Sequence, residues 1–311
     1  MKVYAAMIVG KRPEVYLASC LESICDAVDE LVLNDNSGEE RSENRAIVES
    51  SRLFREKRAT IIPGDFKGFS YCRNIPIEHI RNQGVEDSWI LRLDADEVHT
   101  PDLAFFTRNV LRHVPSSIGG FDAYYYKFMI SLDFITFIER RHQWLVRMTP
   151  DLHWEGDVHE KLHGVRPAQV ALPYVYCDYS YVLGDTALEK WKMYNTLGDP
   201  TYSRSELDNM DYRTFLDHEV NRCFRFTGAH PPGTEETLEK LRMEKKQDFE
   251  RFNVLCEEYL KNPVKSLKSA ARLTNFKIRV LWRAVQCAFL FRKPSLFPKM
   301  MKIMTNSNRN Y

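Results

Sequence analysis

The first hundred residues alternate short apolar runs with helix-periodic segments, and nothing else in the chain restricts its fold as much. Residues 3–9 read as a strand, and residues 14–28 place Leu17, Leu21 and Ile24 at helical spacing. Residues 30–33 form a second strand that stops at the turn-rich Asn34-Asp35-Asn36-Ser37-Gly38. A helix over 44–57, a strand over 59–62 closed by Pro63-Gly64, a helix over 70–83 carrying Pro76, and a strand over 88–93 follow. The last strand runs straight into Asp94-Ala95-Asp96-Glu97. Strands alternating with helices of about ten to fifteen residues predict a doubly wound, mostly parallel α/β sheet. In such sheets ligands bind beyond the carboxyl ends of the strands, where Asp35 and Asp94 both fall.

After residue 120 the pattern changes to aromatic strands at 121–130, 143–148 and 168–176, which predicts an antiparallel extension. Tyr124, Tyr125 and Tyr126 cannot all face the core, so at least one is free to line a binding groove. Residues 186–260 are charged and helical, most clearly over 234–260 behind the break at Pro231-Pro232-Gly233. The expected division is an α/β domain with its extension over 1–185, a charged helical region over 186–260 and a basic tail over 261–311.

Charge separates the last of these from the rest. The formal net charge is only +1, yet no acidic residue follows Glu258 and twelve of the 44 Lys and Arg lie in 261–311. The remainder holds 32 basic against 43 acidic residues, a formal −11. In the tail, Ile278, Leu281, Trp282, Val285, Ala288 and Phe289 share a helical face, with Arg279, Arg283 and Gln286 on another. A basic amphipathic helix bearing Trp and Phe predicts contact with an anionic membrane surface, and packing against the acidic body is the competing expectation. No finger, arm or RNA-binding aromatic motif accompanies the charge, so nucleic acid is not expected as a partner.

Seven cysteines without a C-x-x-C pair or zinc-like spacing read as small apolar residues in a reducing compartment. The amino-terminal run is short and followed by Lys11-Arg12, so it reads as a buried strand and not as a signal peptide. No stretch of about 18 apolar residues is present. The expected location is cytoplasmic, peripheral on the inner face of the membrane if the tail binds there.

Asp94-Ala95-Asp96 at a strand end suits a divalent cation and a nucleotide, because Mg²⁺ and Mn²⁺ bind through one or two carboxylates plus substrate phosphates. Several motifs in order then make the chain similar to a family. Glu14 and Cys20-Leu21-Glu22-Ser23-Ile24, the strand ending Leu33-Asn34-Asp35-Asn36-Ser37, and Arg73-Asn74 opening a helix come first. Trp89-Ile90 leading into Asp94-Ala95-Asp96-Glu97, and Arg147 with Trp154, Gly156, Val158, His159 and Glu160, complete the set. Together they resemble a family 2 glycosyltransferase of the GT-A fold. The subgroup with D-A-D-E and W-x-G-x-V-H-E motifs includes lipopolysaccharide-core glucosyltransferases and bacteriocin peptide glycosyltransferases. Where the family usually has Ser-x-Asp after its first aspartate, this chain has Ser37-Gly38-Glu39.

The resemblance, which covers residues 1–185, implies a GT-A-like, Rossmann-like sheet with an antiparallel extension and a helical C-terminal region. It further implies an inverting, Mn²⁺- or Mg²⁺-dependent hexosyltransferase that uses a nucleotide diphosphate sugar, expected to be a UDP-sugar. The acceptor would be a hydroxyl on a glycan, a glycolipid or polysaccharide precursor, or a peptide. Asp35 would contact the nucleobase, Arg73 the base or diphosphate, Asp94 the ribose, and Asp96 the metal, with His159 as a further metal ligand. Glu160 is the first candidate for the base that takes the acceptor's proton and Asp157 the second, while Glu160 as an orienting partner of His159 is an equal alternative. His153 and His163 are read as structural.

Other classes fit less well. Asp94-Ala95-Asp96-Glu97-Val98 also fits the D-x-D-x-V pattern of haloacid-dehalogenase-type phosphatases, whose nucleophile ends the first strand, whereas three strands precede it here. A sugar nucleotidyltransferase would want a Gly-rich loop where this chain has Val9-Gly10-Lys11-Arg12. A non-catalytic membrane-surface binding protein on a degenerate transferase fold would need neither Asp96, Glu160 nor a metal.

Overall fold

The computed structural model describes residues 1–84, 87–157, 160–196, 210–220 and 223–290. Strands β1 (Lys2–Val9), β2 (Glu30–Asp35), β3 (Ala59–Pro63) and β4 (Ser88–Leu93) run parallel in the order β3-β2-β1-β4. They are continuously apolar because both faces of the sheet are covered, the usual condition of parallel strands. On one face Val3, Ala5 and Met7 meet Leu17, Leu21 and Ile24 of α1 (Leu17–Ile24). Leu103 of α5 (Asp102–Phe105), with Phe106 and Val110 beyond it, completes that layer. On the other face Tyr4, Val32 and Ile90 meet Ile77 and Ile80 of α4 (Phe69–Asn82). Trp154 and Leu162 of the hairpin β8 (His153–Glu155) and β9 (Lys161–His163) join them there. Alternate residues of β1 therefore serve opposite layers, as the two-residue period of a strand requires.

Beyond β4 the sheet becomes mixed, with antiparallel and parallel pairs. β7 (Phe134–Arg147) pairs with β4, setting Trp89 opposite Arg147, and β6 (Ile118–Met129) pairs with β7. β10 (Ala168–Tyr181) lies next to β6, and β5 (Glu97–Val98) closes the edge antiparallel to β10. β11 (Phe224–Arg225) adds to β7. The result is a mixed α/β fold: a mostly parallel sheet, antiparallel parts and C-terminal helices.

Two local expectations need correction. The aromatic extension is not antiparallel throughout, because β6 and β10 are parallel, and β7 starts at Phe134 and not at residue 143. The helix expected over 44–57 is two, α2 (Glu43–Ser50) and α3 (Arg52–Arg55), broken at Ser51 with φ −68° and ψ 159°. The Ser51 hydroxyl accepts from the Phe54 amide and donates to the Val48 carbonyl, so it caps the second helix in place of continuing the first. Pro76 sits inside α4, which begins before it at Phe69.

The helices after residue 183 share cores with the extension. Phe215 of α7 (Tyr212–Val220) and Phe252 of α9 (Lys246–Leu260) pack with Met129, Ile130 and Phe134. Leu238 and Leu241 of α8 (Glu235–Glu244), with Phe276 and Val280 of α10 (Pro263–Leu290), join Tyr124, Tyr126 and Phe128. α6 (Gly184–Thr196) leads from β10 to the mouth of a cavity at the carboxyl ends of the parallel strands. Six cysteines, Cys20, Cys25, Cys72, Cys177, Cys223 and Cys256, are buried free thiols.

Candidate active site

The cavity, of about 750 Å³, lies where doubly wound sheets place ligands. One wall comes from the turns after β1, β2 and β3, including Gly10, Ser37 and Asp65. The opposite wall comes from the extension, with Tyr125 and Lys127 of β6, Asp178 of β10 and Lys190 of α6. Of the three consecutive tyrosines, Tyr125 faces the cavity while Tyr124 and Tyr126 are buried on the other side of β6.

The first wall is built by short polar side chains. Asn44, fully buried, donates to the carbonyls of Gly10 and Arg12 and accepts from the Glu14 amide. It fixes the loop after β1 and so holds Glu14 at the cavity. Asp35 is buried at the end of β2, accepting from the Ser37 amide (3.2 Å) and the Ser42 hydroxyl (2.8 Å). Its carboxylate shapes the turn, and the turn's own residues, Asn36, Ser37 and Gly38, line the cavity with Asp65.

Asp94, itself half-buried, is the hub of an ion network that reaches the buried Glu97. Arg73 approaches Oδ1 and Arg141 approaches Oδ2, both at 2.9 Å. Arg73 also donates to Glu160 Oε1, and Arg141 pairs with Glu97, which accepts from Tyr176 and from the Asp94 amide. Burial alone would push the Asp94 carboxyl up; Arg73 and Arg141 outweigh it and hold the group well below the usual carboxylate range. Burial likewise opposes the Arg73 charge, and Asp94 and Glu160 overcome it, so Arg73 stays firmly protonated.

Asp96 stands in different surroundings. Among the described residues its ion-pair partner is Lys190 of α6, at 3.2 Å, whose ammonium also reaches the Ser180 carbonyl. Burial pushes the Asp96 carboxyl above its ordinary value against the pull of Lys190, and Asp178 and Asp94 add to the rise. Glu14 is pushed up to about 7, by burial first and then by Asp96.

The segment expected to supply the base is anchored on α4. Asn74 exchanges two hydrogen bonds with the Trp154 backbone, and the Ser70 hydroxyl donates to the Gly156 carbonyl. The Trp154 ring lies under Arg73 and Arg92, 5.3 and 4.2 Å from their guanidinium carbons. The Arg-Asn pair and the Trp154 to Glu160 segment are thus one structural unit. Glu160 lines the cavity but is bound to Arg73; Asp157 is exposed and not among the cavity-lining residues. His159 lies outside the described residues. Arg147 is far from the cavity, stacked on Trp89 and donating to Ile118 and Val114 carbonyls at the other end of β4. His153 and His163 stack on each other on the β8–β9 hairpin.

Arg141, Lys190, Asn44 and Asp178 are the site residues that sequence reasoning did not single out. Arg141 and Asp178 are placed by strand register, Lys190 by where α6 lands and Asn44 by the packing of α2 on the loop after β1, and none of these leaves a local signal.

Residues 6–111 match the model of glycosyl transferase family 2. That segment runs from β1 to just beyond α5 and contains Glu14, Asp35, Arg73, Asp94 and Asp96. Among solved structures the chain is similar to Staphylococcus aureus TarS residues 1–349, at 14% identity over 93% of this chain and 91% of that one, with a TM-score of 0.33. The same protein in complex with UDP-GlcNAc gives a TM-score of 0.38 at the same identity and coverage. A 4-diphosphocytidyl-2C-methyl-D-erythritol synthase matches at 14% identity over 48% of this chain and 74% of that one, with a TM-score of 0.30. No curated protein sequence matches the chain significantly.

Proposed function

We propose that the protein is a glycosyltransferase that moves a sugar from a nucleotide diphosphate donor, a UDP-sugar, to a hydroxyl acceptor with inversion. The observation that carries this reading is that the family 2 segment ends its parallel strands at the cavity holding Asp94, Asp96 and Arg73. The turn residues Asn36 to Gly38, supported from beneath by Asp35, would receive the nucleobase. Asp94, kept fully ionised by its two arginines, would accept from a ribose hydroxyl, and Arg73 would face the diphosphate.

Asp96 fits a Mg²⁺ or Mn²⁺ ion, since hard cations of this kind take one or two carboxylates and complete their shell from phosphate and water. No cluster of three or more His, Cys, Asp or Glu is arranged for a metal among the described residues, so the phosphates would supply most of the ligands. When bound, the ion would neutralise charge on the departing diphosphate. His159 remains a candidate ligand beside Asp96.

The base must reach the acceptor hydroxyl on the face of the sugar opposite the diphosphate. Glu160 is tied to Arg73 and Asp157 points into solvent, whereas Asp178 opens on the cavity between Lys127 and Glu97 in strand register. We assign the base to Asp178 and a positioning role to Glu160. Asp178 would take the hydroxyl proton as the oxygen bonds to the anomeric carbon and the bond to the diphosphate oxygen breaks. Tyr125 offers a stacking surface for the acceptor, a glycan, glycolipid or peptide.

The phosphatase alternative asks Asp94 to attack phosphorus, and both Asp94 oxygens are held by guanidinium groups. The test is a panel of nucleotide sugars read by thermal shift and by product mass spectrometry, with and without Mn²⁺. Stabilisation by UDP and a UDP-sugar, weakened in Asp96→Asn, is expected. A panel in which no nucleoside diphosphate stabilises the protein at millimolar levels would overturn the proposal.

A further inference from the structure

Helix α10 packs on the wall of the cavity through one face and leaves a second apolar face outward. Phe276 and Val280 are buried against Tyr124 and Tyr126 of β6. Tyr125 and Lys127 of the same strand face the cavity, so α10 is fixed to the back of the site's own wall. On the other side Val264, Leu267, Ile278, Leu281 and Trp282 are 49–70% exposed. At 100° per residue these five fall within about 100° of one another, roughly opposite Phe276 and Val280. The stripe is about 27 Å long from Val264 to Trp282 at helical rise. Lys268, Arg272 and Arg279 run along one flank by the same count and Lys277 along the other.

We infer that this outer stripe is an interfacial membrane-docking surface for anionic lipid. The charge decides the occupant: no acidic residue follows Glu258, and twelve Lys and Arg lie in 261–311. Apolar residues flanked by cations enter the headgroup region while the cations meet lipid phosphates. No helix among the described residues is long and apolar enough to cross a membrane, so the stripe lies along the surface. The two expectations for the tail are compatible, because different faces of one helix serve them. Docking through a helix packed on β6 sets the orientation of the cavity toward the bilayer. The inference stands on α10 alone and needs no donor.

The full chain should float with phosphatidylcholine vesicles containing about one-third phosphatidylglycerol, and much less with phosphatidylcholine alone. Brominated lipid should quench Trp282 fluorescence, seen as the difference between the wild type and Trp282→Phe; Trp89, Trp144 and Trp154 are buried. The triple variant Leu267→Gln, Ile278→Gln, Leu281→Gln should keep its circular dichroism and bind at least about tenfold more weakly. Neutralising Lys268, Arg272 and Arg279 to Gln should remove the preference for anionic lipid. Failure of the wild type to float with anionic vesicles, or unchanged binding by the triple variant, would overturn the inference. Self-association that the same triple variant abolishes, without vesicle binding, would also overturn it and give the stripe to a second copy. None of these readouts uses a nucleotide sugar, so their failure is separable from failure of the proposed activity.

Discussion

Asp94 and Asp96 are two residues apart in one motif, yet the molecule treats them in opposite ways. Asp94 is gripped by two guanidinium groups whose other contacts reach Glu160 and Glu97, so it belongs to a closed, over-determined network. Asp96 has one lysine from a helix at the cavity mouth, and neighbouring carboxylates work against its charge. A buried charge satisfied from several directions is a structural commitment. A half-buried charge paired with one lysine, and opposed by its neighbours, is available to a ligand. The comparison predicts that breaking the first aspartate's network costs folding stability as well as donor binding, whereas removing the second aspartate's charge costs binding and turnover alone.

The strongest way to break this contrast is Arg73→Ala. It strands Glu160 and leaves Asp94 with Arg141 alone, and removing one member of a buried ion pair typically costs about 3–5 kcal/mol. Urea unfolding should show a loss of about 3 kcal/mol. A loss below about 1 kcal/mol would place Asp94 in the same class as Asp96. Asp96→Asn should do the reverse, changing stability by less than about 1 kcal/mol while donor turnover falls by about 10²- to 10³-fold. Equal damage to folding and turnover in both variants would erase the distinction.

A pH experiment probes the floor of the Asp94 network. His99 is buried, its ring facing Tyr176, which donates to Glu97, and its Nδ1 at 3.0 Å from the Tyr174 hydroxyl. Burial pushes the imidazole down to about 3, so between that pH and the ordinary value of 6.5 the unfolded chain binds a proton the folded one does not. Stability then rises with pH across this window and falls on acidification. At pH 5 the loss from this group amounts to about 2 kcal/mol. His99→Gln should flatten the acid limb of the stability curve by that amount, relative to its own value at pH 7.5. A variant whose acid limb parallels the wild type would show that His99 already protonates in the folded protein.

What could be read in advance follows the range of the interactions. β1 to β4 and the strand-end positions of Asp35 and Asp94 were legible because apolar runs and turn residues are local signals. Asp96 was legible for the same reason. Arg141 was not, since it reaches Asp94 only through the register of β7, a strand whose start was placed at residue 143 and not at Phe134. Lys190 was invisible because it depends on α6 folding back over the cavity from ninety-odd residues away in the chain. The Arg73–Glu160 pair joins two motifs 87 residues apart in the chain, a contact that no local signal reveals. The outward stripe on α10 was half legible. Helical spacing grouped Ile278, Leu281 and Trp282 correctly, but only packing shows that Phe276 and Val280 take the inner face.

The smallest effect tests the open half of the comparison most directly. If Asp96 is held for a ligand, Lys190 is its placeholder and must give way, or share the carboxylate, when a divalent cation binds. Burial and the neighbouring carboxylates offset most of the attraction in the single Lys190–Asp96 contact, leaving a net of about 0.2–1 kcal/mol. Removing the lysine should therefore tighten Mn²⁺ binding by up to roughly fivefold, the factor that the upper end of this energy represents. Titration of Lys190→Met with Mn²⁺ alone, followed by calorimetry or water-proton relaxation, reads this without any turnover. Weaker Mn²⁺ binding in Lys190→Met would mean that the lysine orders Asp96 for the ion. The Asp96 pair would then be a built part of the site, as fixed as the network around Asp94.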